Sequence, residues 1–225
     1  MATKKNDITR RRSRPAEPKK VYPNVKMVII LAVIAIVIVV ALAILNTGSN
    51  TNGNQNNGGT SEGNSIAVFD IKNIGTFKIE LFEDKTPITA GNFIKLVNDG
   101  FYDGMTFYRI SDNFMIQAGR YFPDGSEKKS PYGNIEFETH PDVKHVDGAI
   151  SMASTGAGIG GSGEFFICDG AQSFLDGNYA VFGVVVEGID VVRNIAAQPH
   201  DNSNPAGGGV PNEDIIINSI TIESQ

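Results

Sequence analysis

Phe107-Tyr108-Arg109-Ile110 and, after Ser111-Asp112-Asn113, Phe114-Met115-Ile116-Gln117-Ala118-Gly119 form the stretch on which the reading of this chain turns. Two short apolar runs split by turn-forming residues predict neighbouring β-strands. Each run holds one polar side chain in apolar surroundings, Arg109 in the first and Gln117 in the second. Taken alone, an arginine between aromatics is an edge residue that lays its stem on apolar surface and keeps its head in water. Its neighbours along the chain change that reading.

Upstream, Ile66, Val68 and Asp70 alternate with Ala67, Phe69 and Ile71, a turn forms around Asn73-Ile74-Gly75, and Phe77, Ile79 and Leu81 share one face of a second strand. Thr86-Pro87 then predicts a helix N-cap with proline at the first helical position. Ile88, Phe93, Leu96 and Val97 form its apolar stripe, which ends at Gly100. Downstream, short apolar segments at 149–153, 165–168 and 181–186 read as further strands. A second helix is expected over 189–197 with Val192, Ile195 and Ala196 inward, and a last strand over 215–222. Many short strands with two helices predict a β-barrel plugged at its ends by helices.

The 225 residues are 41% apolar and 20% charged, with one Cys, no Trp and a net charge of -6, which excludes a disulfide-built or wholly disordered protein. Charge is unevenly placed. Through Lys26 there are nine Lys/Arg against two acids, a surplus of +7, so the remaining chain carries -13. Between these parts, residues 27–45 carry no polar side chain; as a helix they would extend about 28 Å, near the roughly 30 Å of a bilayer's hydrocarbon core. A single transmembrane helix is expected at 27–45. The basic flank places the tail at 1–26 in the cytoplasm and the rest outside the cell membrane, with the span kept as an uncleaved anchor. Residues 46–64, almost all Asn, Gly, Thr and Ser, are expected to be a flexible linker reaching roughly 25 Å. Residues 65–225 are long enough for one folded domain.

Most catalytic chemistries find no residues here. His140, His145 and His200 stand in loop-like sequence without metal-ligand spacing and are expected to be solvated. Cys168 lies in an apolar strand and reads as a small buried thiol. The glycines of 156–163 lack the lysine of a phosphate loop and predict a surface loop open to close approach by another chain. No metal or cofactor is called for, and the acidic outer domain disfavours nucleic-acid partners.

Segment order is the more specific signal. Phe107 to Ile110, Phe114 to Gly119, Ser151-Met152-Ala153, Phe165-Phe166-Ile167, Phe174-Leu175-Asp176-Gly177 and Val181-Phe182-Gly183, taken in that order, resemble the cyclophilin family of peptidyl-prolyl cis-trans isomerases. The resemblance covers essentially 65–225. It implies an eight-stranded antiparallel barrel capped by two helices, with Arg109 as the catalytic arginine supported by Gln117. It also implies a proline pocket of Phe114, Met115, Phe166 and Leu175, with Ala153 and Ser154 along the peptide groove.

Departures from the family pattern are local. Glu164 stands where a Gln is common, and is expected to lower activity if it lies against Arg109. Phe174 replaces a frequent Trp and loses its indole N–H, which argues against cyclosporin sensitivity. Tyr179 replaces a frequent His, and Ser154 a common Asn. Glu164, Phe174 and Tyr179 are nonetheless expected beside the substrate. The implied protein is a membrane-anchored isomerase acting on proline-containing polypeptides outside the membrane. A cyclophilin-like module that binds such segments with little or no catalysis is the alternative, and an adhesive domain on a stalk is a third reading.

Overall fold

The computed structural model describes residues 63–223. The expected basic tail, transmembrane helix and nearly all of the linker lie outside the described residues. Among those described, no helix is long and apolar enough to cross a membrane.

The chain forms eight strands and two helices: β1 (Ile66–Ile71), β2 (Gly75–Leu81), α1 (Pro87–Asn98), β3 (Arg109–Ser111), β4 (Met115–Ala118), β5 (Ala149–Met152), β6 (Phe165–Cys168), β7 (Ala180–Glu187), α2 (Ile189–Ala196) and β8 (Ile217–Glu223). All the strands join one antiparallel sheet in the order β3-β4-β6-β5-β7-β2-β1-β8. Its two ends are brought together by backbone hydrogen bonds, with Phe107 N–H donating to Ile215 O (2.9 Å) and Ile217 N–H to Met105 O (2.8 Å). This is the expected eight-stranded architecture with two helices.

Apolar alternation explains how the sheet is used. Ala67, Phe69 and Ile71 of β1 and Phe77, Ile79 and Leu81 of β2 point into the main core, where Phe93 of α1, Tyr102, Phe165 and Phe182 meet them. Successive strand residues face opposite sides. Phe165 therefore joins that core, whereas Phe166 joins a second, smaller cluster with Met115, Ala153, Cys168 and Val181. The same split places Ile116 inward and Met115 outward on β4.

Helix α1 begins as expected at Pro87, but Thr86 makes no side-chain cap. Its hydroxyl donates to Phe82 O instead (3.2 Å), and the Glu138 carboxylate, distant in sequence, accepts from Thr89 N–H (3.0 Å) and the Thr89 hydroxyl (3.1 Å). Ile88, expected in the apolar stripe, is 43% exposed; Thr89 and Ala90 are buried on that turn instead. Val192, Ile195 and Ala196 of α2 are buried as the sequence predicts.

The 156–163 loop folds against this chain's own backbone. Ile135 N–H donates to Gly161 O (2.9 Å), and a methyl group at Gly160 would collide with the Ile135 carbonyl.

Candidate active site

Strand register builds the site. Arg109 pairs with Gln117, Gln117 with Phe166, Phe166 with Ser151, and Ser151 with Val181, so these five residues form one row across β3, β4, β6, β5 and β7. Paired residues project to the same face. That face is the one opposite the main core, and on it the row adjoins a hollow of about 130 Å³ lined by Arg109, Phe114, Met115, Gln117, Ala153, Ser154, Phe166, Leu175 and Tyr179. Apolar space of roughly 150 Å³ admits a benzene ring, so a five-membered ring is of suitable size here.

Nine of the eleven residues singled out from the sequence line this hollow. Phe174 does not. It is 66% exposed, on the 3₁₀ turn Ser173–Leu175, and its ring lies 5.9 Å from that of Phe114, a bracing contact outside the cavity wall. Glu164 is also absent from the lining, one step behind it.

The Arg109 guanidinium sits 5.6 Å from the Phe114 ring centre. Its Nη1 donates to Gln117 Oε1 (3.5 Å), its Nε to Gly207 O (3.3 Å), and its Nη2 to Ala206 O (3.3 Å) and Gly207 O (3.1 Å). A guanidinium has five N–H donors. These contacts account for four, leaving one Nη1–H beside the hollow. Burial lowers the arginine's pKa from its ordinary value, yet the group stays cationic at any working pH.

Glu164 makes its ion pair with Arg120 rather than Arg109. Arg120 Nη1 donates to its Oε1 (3.0 Å), while Tyr108 OH (2.8 Å) and Gln117 Nε2 (3.3 Å) donate to its Oε2. Because the Gln117 amide nitrogen is engaged there, its oxygen is turned to Arg109. The acid thus orients the amide while Arg120 neutralises it. Burial, reinforced by Glu164, raises the Tyr108 hydroxyl well above its ordinary pKa, so it remains a proton donor to this carboxylate.

Three features escape a sequence reading. The loop after α2 is pinned to β3 by mutual hydrogen bonds between Ile110 and Gly209 (3.0 Å each way), which brings its carbonyls onto Arg109. At Gly208, with φ of +74°, any side chain would strike the Ile110 carbonyl. Sequence signals a glycine-rich loop here but not what it covers.

Secondly, His145, expected in solvent, is 2% exposed. Its ring lies nearly parallel to Phe166 at 5.8 Å, with Nδ1 2.9 Å from Asp176 Oδ1 and Nε2 3.1 Å from Ser151 Oγ. Burial lowers its pKa against the opposing pull of Asp176. A neutral ring donates from Nδ1 to the carboxylate and accepts the Ser151 hydroxyl at Nε2. Ser151 is fully buried, so its hydroxyl has no access to substrate, and the hydrogen-bonded serine, histidine and aspartate serve as a brace behind Phe166. The third feature is Arg120, which no apolar pattern marks.

Cys168 is buried, and burial pushes its thiol up to about 12, which keeps it protonated. Among the described residues there is no cluster of His, Cys, Asp and Glu suited to a metal ion.

With this geometry in place, comparison with known proteins is specific. The family model described as cyclophilin type peptidyl-prolyl cis-trans isomerase/CLD matches residues 66–222. A peptidyl-prolyl cis-trans isomerase of Acinetobacter baylyi is 36% identical over 157 residues, covering 68% of this chain and 82% of that protein. Peptidyl-prolyl cis-trans isomerase B of Escherichia coli is 35% identical over 158 residues, covering 67% of this chain and 95% of the relative. Among solved structures, a cyclophilin type peptidyl-prolyl cis-trans isomerase of Cryptosporidium parvum, crystallised in the presence of the dipeptide Ala-Pro, matches with a TM-score of 0.63 and 30% identity; the match covers 71% of this chain and 99% of that one.

Proposed function

The chain belongs to the cyclophilin-type peptidyl-prolyl cis-trans isomerases, and from that premise we propose that its Arg109 and apolar hollow catalyse X-Pro rotation in polypeptides outside the cell membrane. The observation carrying this reading is the cross-strand row that sets Arg109, Gln117 and Phe166 side by side on one face. Proline-containing substrates are supported by the Ala-Pro present with the Cryptosporidium relative.

Rotation about a peptide bond meets a barrier of about 18–20 kcal/mol, and an uncatalysed X-Pro bond takes tens to hundreds of seconds to isomerise. No covalent bond breaks. In the twisted transition state the proline nitrogen regains a lone pair that the planar amide delocalises. A donor aimed at that nitrogen therefore stabilises the transition state more than the ground state. The remaining Nη1–H of Arg109 fills that role.

A charge-assisted hydrogen bond contributes about 1.5–3 kcal/mol, whereas a millionfold acceleration needs about 8 kcal/mol. The rest comes from holding the ring against Phe114, Met115, Phe166 and Leu175 while Ala153 and Ser154 fix the flanking backbone. Those contacts orient the bond and exclude water from an amide that becomes less polar as it twists.

The extracytoplasmic setting is supported by the sequence of residues 1–64: basic tail, apolar span, polar linker. Catalysis without nucleotide suits that space. Two measurements test the proposal. Full-length chain in detergent should accelerate isomerisation of a proline peptide, and Arg109→Ala should remove most of the effect; peptide binding without turnover would instead identify a non-catalytic binding module. In cells the chain should sediment with membranes, with residues 65–225 digestible by protease added outside. Recovery in the soluble cytosolic fraction would refute the anchor.

A further inference from the structure

Beyond Tyr179 the proline hollow adjoins a second and larger cavity, of about 310 Å³, lined by the apolar Pro141, Val143 and Val181, by Tyr179, and by Thr139, His140 and Lys144. Tyr179 is common to both cavities. Beneath them runs one apolar floor, because Phe166, Met115 and Val181 belong to a single cluster on which Val143, Leu175 and Tyr179 pack. The Tyr179 ring stands edge-on to Phe166 at 5.7 Å, forming the partition between the two spaces.

We propose that this second cavity is a subsite for the same polypeptide, accepting a bulky apolar side chain such as Leu or Phe two residues from the proline. The inference rests on the isomerase reading above. An extended chain advances about 3.3 Å per residue and returns to the same face every second residue. The side chain two positions away therefore emerges roughly 7 Å further on, past one aromatic partition. Its occupant is apolar because Val143, Tyr179 and Val181, which belong to the apolar floor, offer it that surface. Both signs of charge lie near it, since Lys144 is in its lining while Asp142 and Asp176 stand against two other lining residues, His140 (4.0 Å) and His145 (2.9 Å). His145 also lines the cavity, and its two ring nitrogens are already engaged by Asp176 and Ser151.

The test is a peptide scan with full-length protein. An alanine-based peptide with one proline is compared with versions carrying Leu or Phe at each of the three positions on either side. One position, two residues from the proline, should lower KM by about tenfold, the size expected for burying one apolar side chain, with kcat little changed because substrate and transition state benefit alike. Thr139→Trp fills the mouth from an exposed loop position and should erase that gain while leaving the alanine parent peptide unaffected; Lys144→Trp repeats the test from the opposite rim should the first variant fold poorly. Calorimetric Kd values for the same peptides read the subsite whether or not turnover occurs. Absence of turnover on the parent peptide would sink the isomerase reading alone. A flat Kd series, or a gain that persists in both tryptophan variants, would overturn the subsite.

Discussion

Arg109 is held from two directions, by Gln117 on the sheet and by the Ala206 and Gly207 carbonyls of the loop. Arg109→Ala should lower kcat/KM by about 10² to 10³, the range for losing one transition-state donor, with KM nearly constant in a peptide isomerisation assay. Arg109→Lys should recover little, since an ammonium cannot bond fork-wise to three acceptors while pointing a further donor at the hollow. Glu164 calls for a different expectation from the one its sequence position suggests. Its charge is balanced by Arg120, partly in solvent, and such pairs contribute about 0.2–1 kcal/mol. Turnover of Glu164→Gln should therefore stay within about fivefold of the parent; a larger rise would mean that the acid competes for Arg109 after all. The grouping of Arg109, Gln117, Phe114, Met115 and Phe166 was legible through the order of segments, which resembles the cyclophilin pattern; the cross-strand register that sets them side by side comes from the structure. Phe174 stands outside the lining, against Phe114, a position that could not be read because a 3₁₀ turn obeys no strand alternation. His145 was misjudged because polar loop sequence does not disclose that Asp176 and Ser151 satisfy the ring in the interior.

Among the elements, the loop from Asp201 to Val210 has the least readable purpose and the clearest structural one. Asp201 Oδ1 accepts from the backbone N–H of both Ser203 (3.0 Å) and Val210 (2.9 Å), closing the loop into the shape that presents its carbonyls to Arg109. Asp201→Ala should lower kcat about three- to tenfold with KM little altered, as losing one or two hydrogen bonds predicts. In an Arg109→Ala background the same change should have no further effect on kcat. Additive losses in that double-mutant cycle would show that the loop acts on stability rather than through the arginine. The strands and both helices were readable to within a few residues from apolar alternation and from the Thr86-Pro87 start. The cap of α1 was not, because its acceptor, Glu138, comes from a segment fifty residues away that no local pattern links to the helix.

For the molecule as a whole, His145 couples acidity to stability. It is buried and neutral, with its folded pKa below the ordinary value of about 6.5, so the unfolded chain binds the proton more readily. Its contribution is fully present above about pH 6.5 and is lost as the pH falls below that value toward the folded pKa. Asp176 and Lys144 are the charged groups facing it, and they oppose each other. Thermal unfolding followed from pH 8 to pH 5 should show Tm falling over the acid half of this range; His145→Gln, though less stable at pH 8, should show a flatter profile. An equal slope in the two proteins would assign the acid sensitivity elsewhere. The sheet also acts as a dividing wall: Phe165 and Phe166, adjacent in sequence, serve opposite sides of it. Inheritance can therefore tinker with one side at a time. Drift among the outward residues would retune which client chains are handled, while the architecture that keeps the protein folded goes untouched.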